Sequence, residues 1–135
     1  MRVIQTKGKA FLVALVGLPL LGYLFSVPAR AEMFGQGYRP CGEVSTTPGI
    51  VDCIGRKTRN WDARLNDSYR TLLRTVDGPK HAALQAAQRS WLQYRDANCA
   101  FYAVGPGTIS EVNVAECLRA MTEDRARELG QALTP

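Results

Sequence analysis

Three stretches of this chain repeat apolar residues at intervals of three and four, the spacing that puts side chains on one stripe of an α-helix. From about Ile50 to Val76 the stripe is Trp61, Leu65, Tyr69, Leu72, Leu73 and Val76, and Asp77-Gly78-Pro79 ends it. A second stretch, from about Lys80 to Val104, sets Leu84, Ala87, Trp91, Leu92, Cys99 and Tyr102 on or beside one line, and Gly105-Pro106-Gly107 breaks the chain again. The third, from about Ile109 to Ala132, predicts Val114, Leu118, Met121 and Leu129 facing inward, with Glu116, Glu123, Asp124 and Arg127 spread over the rest. No strand-like alternation of useful length occurs, so the expected fold is all-α. Short connections make consecutive helices antiparallel neighbours, which predicts a small antiparallel three-helix bundle. Upstream, residues 32–49 are rich in Gly, Pro, Ser and Thr without a period, and read as an irregular N-terminal arm. Thr46-Thr47-Pro48 is a helix entry, with a hydroxyl cap and a proline in the first turn. One helical domain over residues 50–135 follows.

The first 31 residues have a different character. Arg2, Lys7 and Lys9 precede an apolar stretch, Ala10–Phe25, broken only by Gly17, Pro19 and Gly22, and small residues occupy the −3 and −1 positions before a cut after Ala31. This is the pattern of a secretory signal peptide. A bilayer span needs about 20 apolar residues, more than this proline-interrupted run supplies, so no stable membrane insertion is expected after cleavage. The leader also accounts for the charge. The chain has 17 Lys+Arg against 12 Asp+Glu, but four of the basic residues and none of the acids lie in residues 1–31, leaving 13 against 12. Nucleic-acid binding requires clustered, uncompensated cations, and the near-neutral remainder argues against it.

Export decides how Cys41, Cys53, Cys99 and Cys117 are read. An even number of cysteines in a short exported chain is a disulfide framework. A metal site is not expected, because no C-x-x-C pair exists and His81, the only histidine, is far from every cysteine. Folding the hairpins at Gly78 and near Pro106 gathers all four cysteines at one end of the bundle. Cys99 with Cys117 is then the easiest pair, leaving Cys41 with Cys53. The crossed pairing, Cys41–Cys99 with Cys53–Cys117, stays open.

Polar residues fall on the helical seams as well. Asp62, Leu65, Asn66 and Tyr69 share a face of the first helix, Gln88, Trp91 and Arg95 one of the second, and Leu118, Thr122, Arg125 and Leu129 one of the third. Buried charges persist only when paired and hydrogen-bonded, and an arginine fork suits a carboxylate. The spacing therefore predicts an internal network in which Arg95 pairs with Asp62 or Asp96, or, as the alternative, a set part of which opens to a groove and binds a partner. Catalysis finds no footing. Nucleophilic chemistry needs a base beside a Ser, Thr or Cys, and His81 sits at the exposed start of the second helix. A glycosidase needs two carboxylates across a cleft, for which so small a bundle has little room. Gly105-Pro106-Gly107-Thr108 lacks the lysine of a phosphate loop. Trp61 and Trp91 read as core anchors. No cofactor is implied.

The same residues carry a resemblance. The chain resembles the LprI-type lysozyme inhibitor family of exported bacterial helical domains, over about residues 41–130. Cys41 and Cys53 match its N-terminal cysteine pair. Asp62, Leu65, Asn66 and Tyr69 match D-x-x-L-N-x-x-Y, while Ala87-Gln88, Trp91, Tyr94-Arg95-Asp96 and Cys99 match A-Q-x-x-W-x-x-Y-R-D-x-x-C. Cys117-Leu118, Thr122, Arg125 and Leu129 match C-L-x-x-x-T-x-x-R-x-x-x-L. The resemblance implies a periplasmic or secreted binding protein, not an enzyme, whose partner is a protein, lysozyme, and whose effect is to protect peptidoglycan. The alternative is a structural or accessory envelope protein that binds another periplasmic component. The cysteine-rich end, with the turn at Val104–Ser110, is the expected contact surface. Intact-mass analysis of the exported chain should give an N-terminus at Glu32; an uncut leader would contradict the signal-peptide reading.

Overall fold

The computed structural model describes residues 32–134, so the leader expected over residues 1–31 lies outside the described residues. Four helices are present, α1 (Arg39–Gly42), α2 (Thr47–Thr75), α3 (Gly78–Phe101) and α4 (Ile109–Gln131), and no strand occurs among the described residues. The all-α expectation holds. The hydroxyl of Thr46 accepts from the Gly49 amide at 3.3 Å, with a proline in the first turn of α2. The arm departs from the expectation by forming one helical turn, α1, whose Cys41 is wholly buried. At the third helix, Gly107 takes a φ of +77°, a left-handed geometry that glycine adopts without steric cost.

The three long helices run up, down and up, which makes α2 and α4 parallel. They pack along most of their length, α3 touches α4 more sparsely, and α2 and α3 approach each other less closely than either approaches α4. The reason is legible in the helix faces. Only Gln88 and Cys99 of α3 are buried, whereas ten residues of α4 are, spread almost all around its circumference. A helix buried on so many sides is the centre of a fold, not one of its walls. Around α4 two apolar clusters form. Leu65, Leu72, Ala126 and Leu129 make one, with Trp61, Tyr69, Leu84 and Trp91 against it. The other is Cys41, Ile54 and Val112, packed by Tyr38, Ile50, Val51, Cys53 and Ala115.

This arrangement corrects the expected facing of α4. Glu116 and Glu123, expected outside, are buried, while Val114, Leu118 and Met121 are only half-buried. An apolar stripe locates a helix with one covered side, and α4 has several.

The disulfides are Cys41–Cys53 and Cys99–Cys117, each with Cα atoms 5.5 Å apart. Both sit at the end where α2 and α4 begin and α3 finishes, where the Thr47 and Thr108 hydroxyls also meet at 3.3 Å. The bridges span 12 and 18 residues, loops for which restricting the unfolded chain stabilises by about 3 kcal/mol each. Replacing Cys99 and Cys117 together by alanine should lower the urea unfolding free energy by about 2–4 kcal/mol while the far-ultraviolet helical signal persists. An unchanged midpoint would show that the bridge adds no constraint.

Candidate functional site

The most deeply buried charges belong to α4. Glu116, Arg119 and Glu123 follow one another at three and four residues, on one face of the helix, with exposures of 0%, 1% and 7%. Arg119 meets Glu116 as a fork, Nε to Oε2 at 2.8 Å and Nη2 to Oε1 at 2.7 Å, and its Nη1 donates to Glu123. Burial works against the charge on Arg119, but the hydrogen bonds and charges of the two glutamates outweigh it and hold the guanidinium above its already high ordinary pKa. It stays protonated at any workable pH.

The N-terminal arm closes over this cluster. Arg119 Nη2 donates to the Glu32 carbonyl at 3.0 Å, and the Phe34 amide donates to Glu116 Oε1 at 3.1 Å. Phe34 itself holds a φ of +59°, a strained value for a non-glycine residue that its surroundings must maintain. Gly37 passes so close that a Cβ there would lie 2.8 Å from Arg119 Cζ. Outward, Glu123 also accepts from Arg127, at 2.6 Å from Nη2, and Arg127 lies over the Trp61 ring at 4.9 Å.

The polar residues expected on the seams are divided by the packing. Gln88 and Arg125 meet in the interior, Arg125 Nε donating to Gln88 Oε1 at 3.1 Å, and Arg125 continues to Glu128 at 2.8 Å. Trp91 is flanked by Arg95 at 5.2 Å and Arg125 at 5.9 Å from its ring centre. Thr122 is wholly buried, and its hydroxyl finds no partner among the described residues. The expected alternative of an Asp62–Arg95 pair is not formed. Asp62 is exposed and accepts instead from Asn66 Nδ2 at 3.0 Å, while Arg95 takes Asp96, Nε and Nη2 both reaching Oδ1 at 2.9 and 2.8 Å. Because α2 and α3 stand apart, each side chain finds a local partner before one across the gap.

That gap is a cleft of about 260 Å³, with Asp62, Leu65, Asn66 and Tyr69 on one side and Gln85, Gln88, Trp91 and Leu92 on the other. With Arg89 also in its lining, it offers amide, carboxylate and guanidinium hydrogen-bonding groups around aromatic walls. His81 is half-buried at the start of α3, where it was expected to be exposed. No group of three His, Cys, Asp or Glu residues placed to hold a metal occurs among the described residues.

A family model described as "Lysozyme inhibitor LprI" matches residues 40–129. The chain belongs to the LprI lysozyme inhibitor family. An uncharacterized protein of Rhizobium meliloti (strain 1021) is 28% identical over 123 residues, covering 80% of this chain and 86% of its own length. No solved structure matches significantly. Within this LprI domain the positions carrying the resemblance are the two bridges, the α2–α3 cleft and the Gln88–Arg125 contact. The Arg119 cluster was missed from sequence. Its signal was present as E-x-x-R-x-x-x-E, the spacing at which helical side chains of opposite charge meet, but alternating charge reads first as a solvated face.

Arg119→Met leaves the buried Glu116 without a cation and takes one of Glu123's two, Arg127 remaining, so unfolding in urea should show a loss of about 3–5 kcal/mol. Replacing Glu116, Arg119 and Glu123 together by leucine or methionine should cost less than that single change, because no unpaired charge remains. A triple variant weaker than the single one would refute the paired-cluster account. Asp62→Leu, on the exposed lip of the cleft, should barely move the midpoint.

Proposed function

We propose that the LprI domain is exported, binds lysozyme and slows its attack on peptidoglycan. The observation that carries this reading is the match to the lysozyme inhibitor family over residues 40–129, which takes in both bridged cysteine pairs. The physical character of the domain supports it. Two disulfides persist in oxidising compartments such as the periplasm or the exterior, and no helix among the described residues is long and apolar enough to cross a membrane. Binding a protein without large rearrangement loses less side-chain and loop entropy, and a helical domain clamped at one end is suited to that.

A second reading has one observation in its favour. The α2–α3 cleft, with Asp62, Asn66, Gln85 and Gln88 around it, has hydrogen-bonding groups suited to a polar envelope component, as an accessory envelope protein would require. Purified mature protein mixed with lysozymes of several types, with cell-wall clearing followed by turbidity, separates the two. Slowed clearing, proportional to the amount of protein added, is the expected result. Clearing at the uninhibited rate with every lysozyme would remove inhibition and leave the accessory reading.

A further inference from the structure

The bridged end of the domain has an apolar surface of which its own core uses only the floor, Val51 and Ala115. A groove of about 520 Å³ runs between the first halves of α2 and α4, lined by Val51, Ala103, Val114, Ala115 and Leu118 with Glu111. On the turn and helix ends beside it, Phe101, Val104 and Ile109 are 74%, 87% and 59% exposed. Apolar side chains displayed this openly around a concave surface are the mark of an interaction site. The Cys99–Cys117 bridge joins the last turn of α3 to α4 beneath them, so the surface is held in place before any partner arrives.

The lining of the groove has one acid, Glu111, and no cation. Residues 39–55 and 97–118 build this end, and together they contain Glu43, Asp52, Glu111 and the buried Glu116 against a single cation, Arg39. Asp52 is neutralised by Arg56 on the next turn. Glu116 is held by Arg119. Glu43 and Glu111 remain exposed and without an ion-pair partner among the described residues. A chain with almost balanced charge thus places an excess of acid at this end, and the lining of the apolar groove has an acid and no cation.

We infer that this groove is the docking surface for a basic protein, receiving an apolar side chain of the partner while lysine or arginine beside that side chain meets Glu111 and Glu43. The inference rests on the proposed function, under which the partner is a lysozyme, and it names the surface and the chemistry that function would use. Apolar contact at the centre sets how long a complex lasts, and charges at the rim set how fast it forms.

The test uses the full mature chain and a basic lysozyme, with surface-immobilised binding kinetics beside the clearing assay. Glu43→Lys/Glu111→Lys should lower the association rate at least tenfold and flatten its dependence on salt, leaving dissociation little changed. Val104→Asp/Ile109→Asp, at two exposed positions that the fold does not need, should speed dissociation at least tenfold with an unchanged melting curve. Leu118→Gln should do the same from within the groove. If the wild-type chain inhibits and these variants inhibit equally well, the inference is overturned and the function stands. Loss of binding in Asn66→Ala with the groove variants intact would move the site to the α2–α3 cleft and overturn it too. So would dimerisation of the free chain that Val104→Asp/Ile109→Asp abolishes, since the occupant is then a second copy. A wild-type chain that leaves every lysozyme unaffected removes the function, and the inference falls with it.

Discussion

Arg119 is the side chain on which the most distant parts of the fold depend. It makes four hydrogen bonds, two to Glu116, one to Glu123 and one to the carbonyl of Glu32, which lies 87 residues earlier. A guanidinium is costly to bury, and this one persists because two carboxylates accompany it on the same helix face and the arm contributes backbone from above. The cluster therefore does more than neutralise itself. It fixes where the arm crosses α4, which is why Gly37 must lack a side chain and why Phe34 can sit in an unfavourable backbone region.

With the arm held on one side and α2 on another, α4 becomes the axis of the molecule. That placement explains the two concave surfaces. The cleft between α2 and α3 exists because both helices pack more closely on α4 than on each other. The groove at the bridged end exists because Val114 and Leu118 fall just outside the face that α2 covers. The two differ in chemistry. The cleft has amides, a carboxylate and the Arg89 guanidinium beside aromatic walls; the groove is apolar with a glutamate at its edge.

The strongest charge interactions lie under the arm, where Glu116 and Glu123 are committed to Arg119 and Arg127. The cleft contributes one carboxylate, Asp62, which is exposed and bonded to Asn66. What the molecule holds rigid is shape, through two bridges at one end and a packed apolar cluster at the other.

Local physics made much of this legible in the chain. Periodicity set the three long helices, the Asp77-Gly78-Pro79 and Gly105-Pro106-Gly107 breaks set the turns, and the hydroxyl and proline at Thr46–Pro48 set the start of α2, because each of these is decided within a few residues. The cysteine pairing was legible as the easier of two alternatives, since hairpin geometry follows from helix lengths. What tertiary structure alone decided was which sides of a helix meet protein. Asp62 and Arg95 share helical seams in sequence yet part company, and Glu116 with Glu123 go inward, because α4 and not α3 became the partner of α2. Burial is a property of all neighbours at once, and no single helix carries that information in its own period.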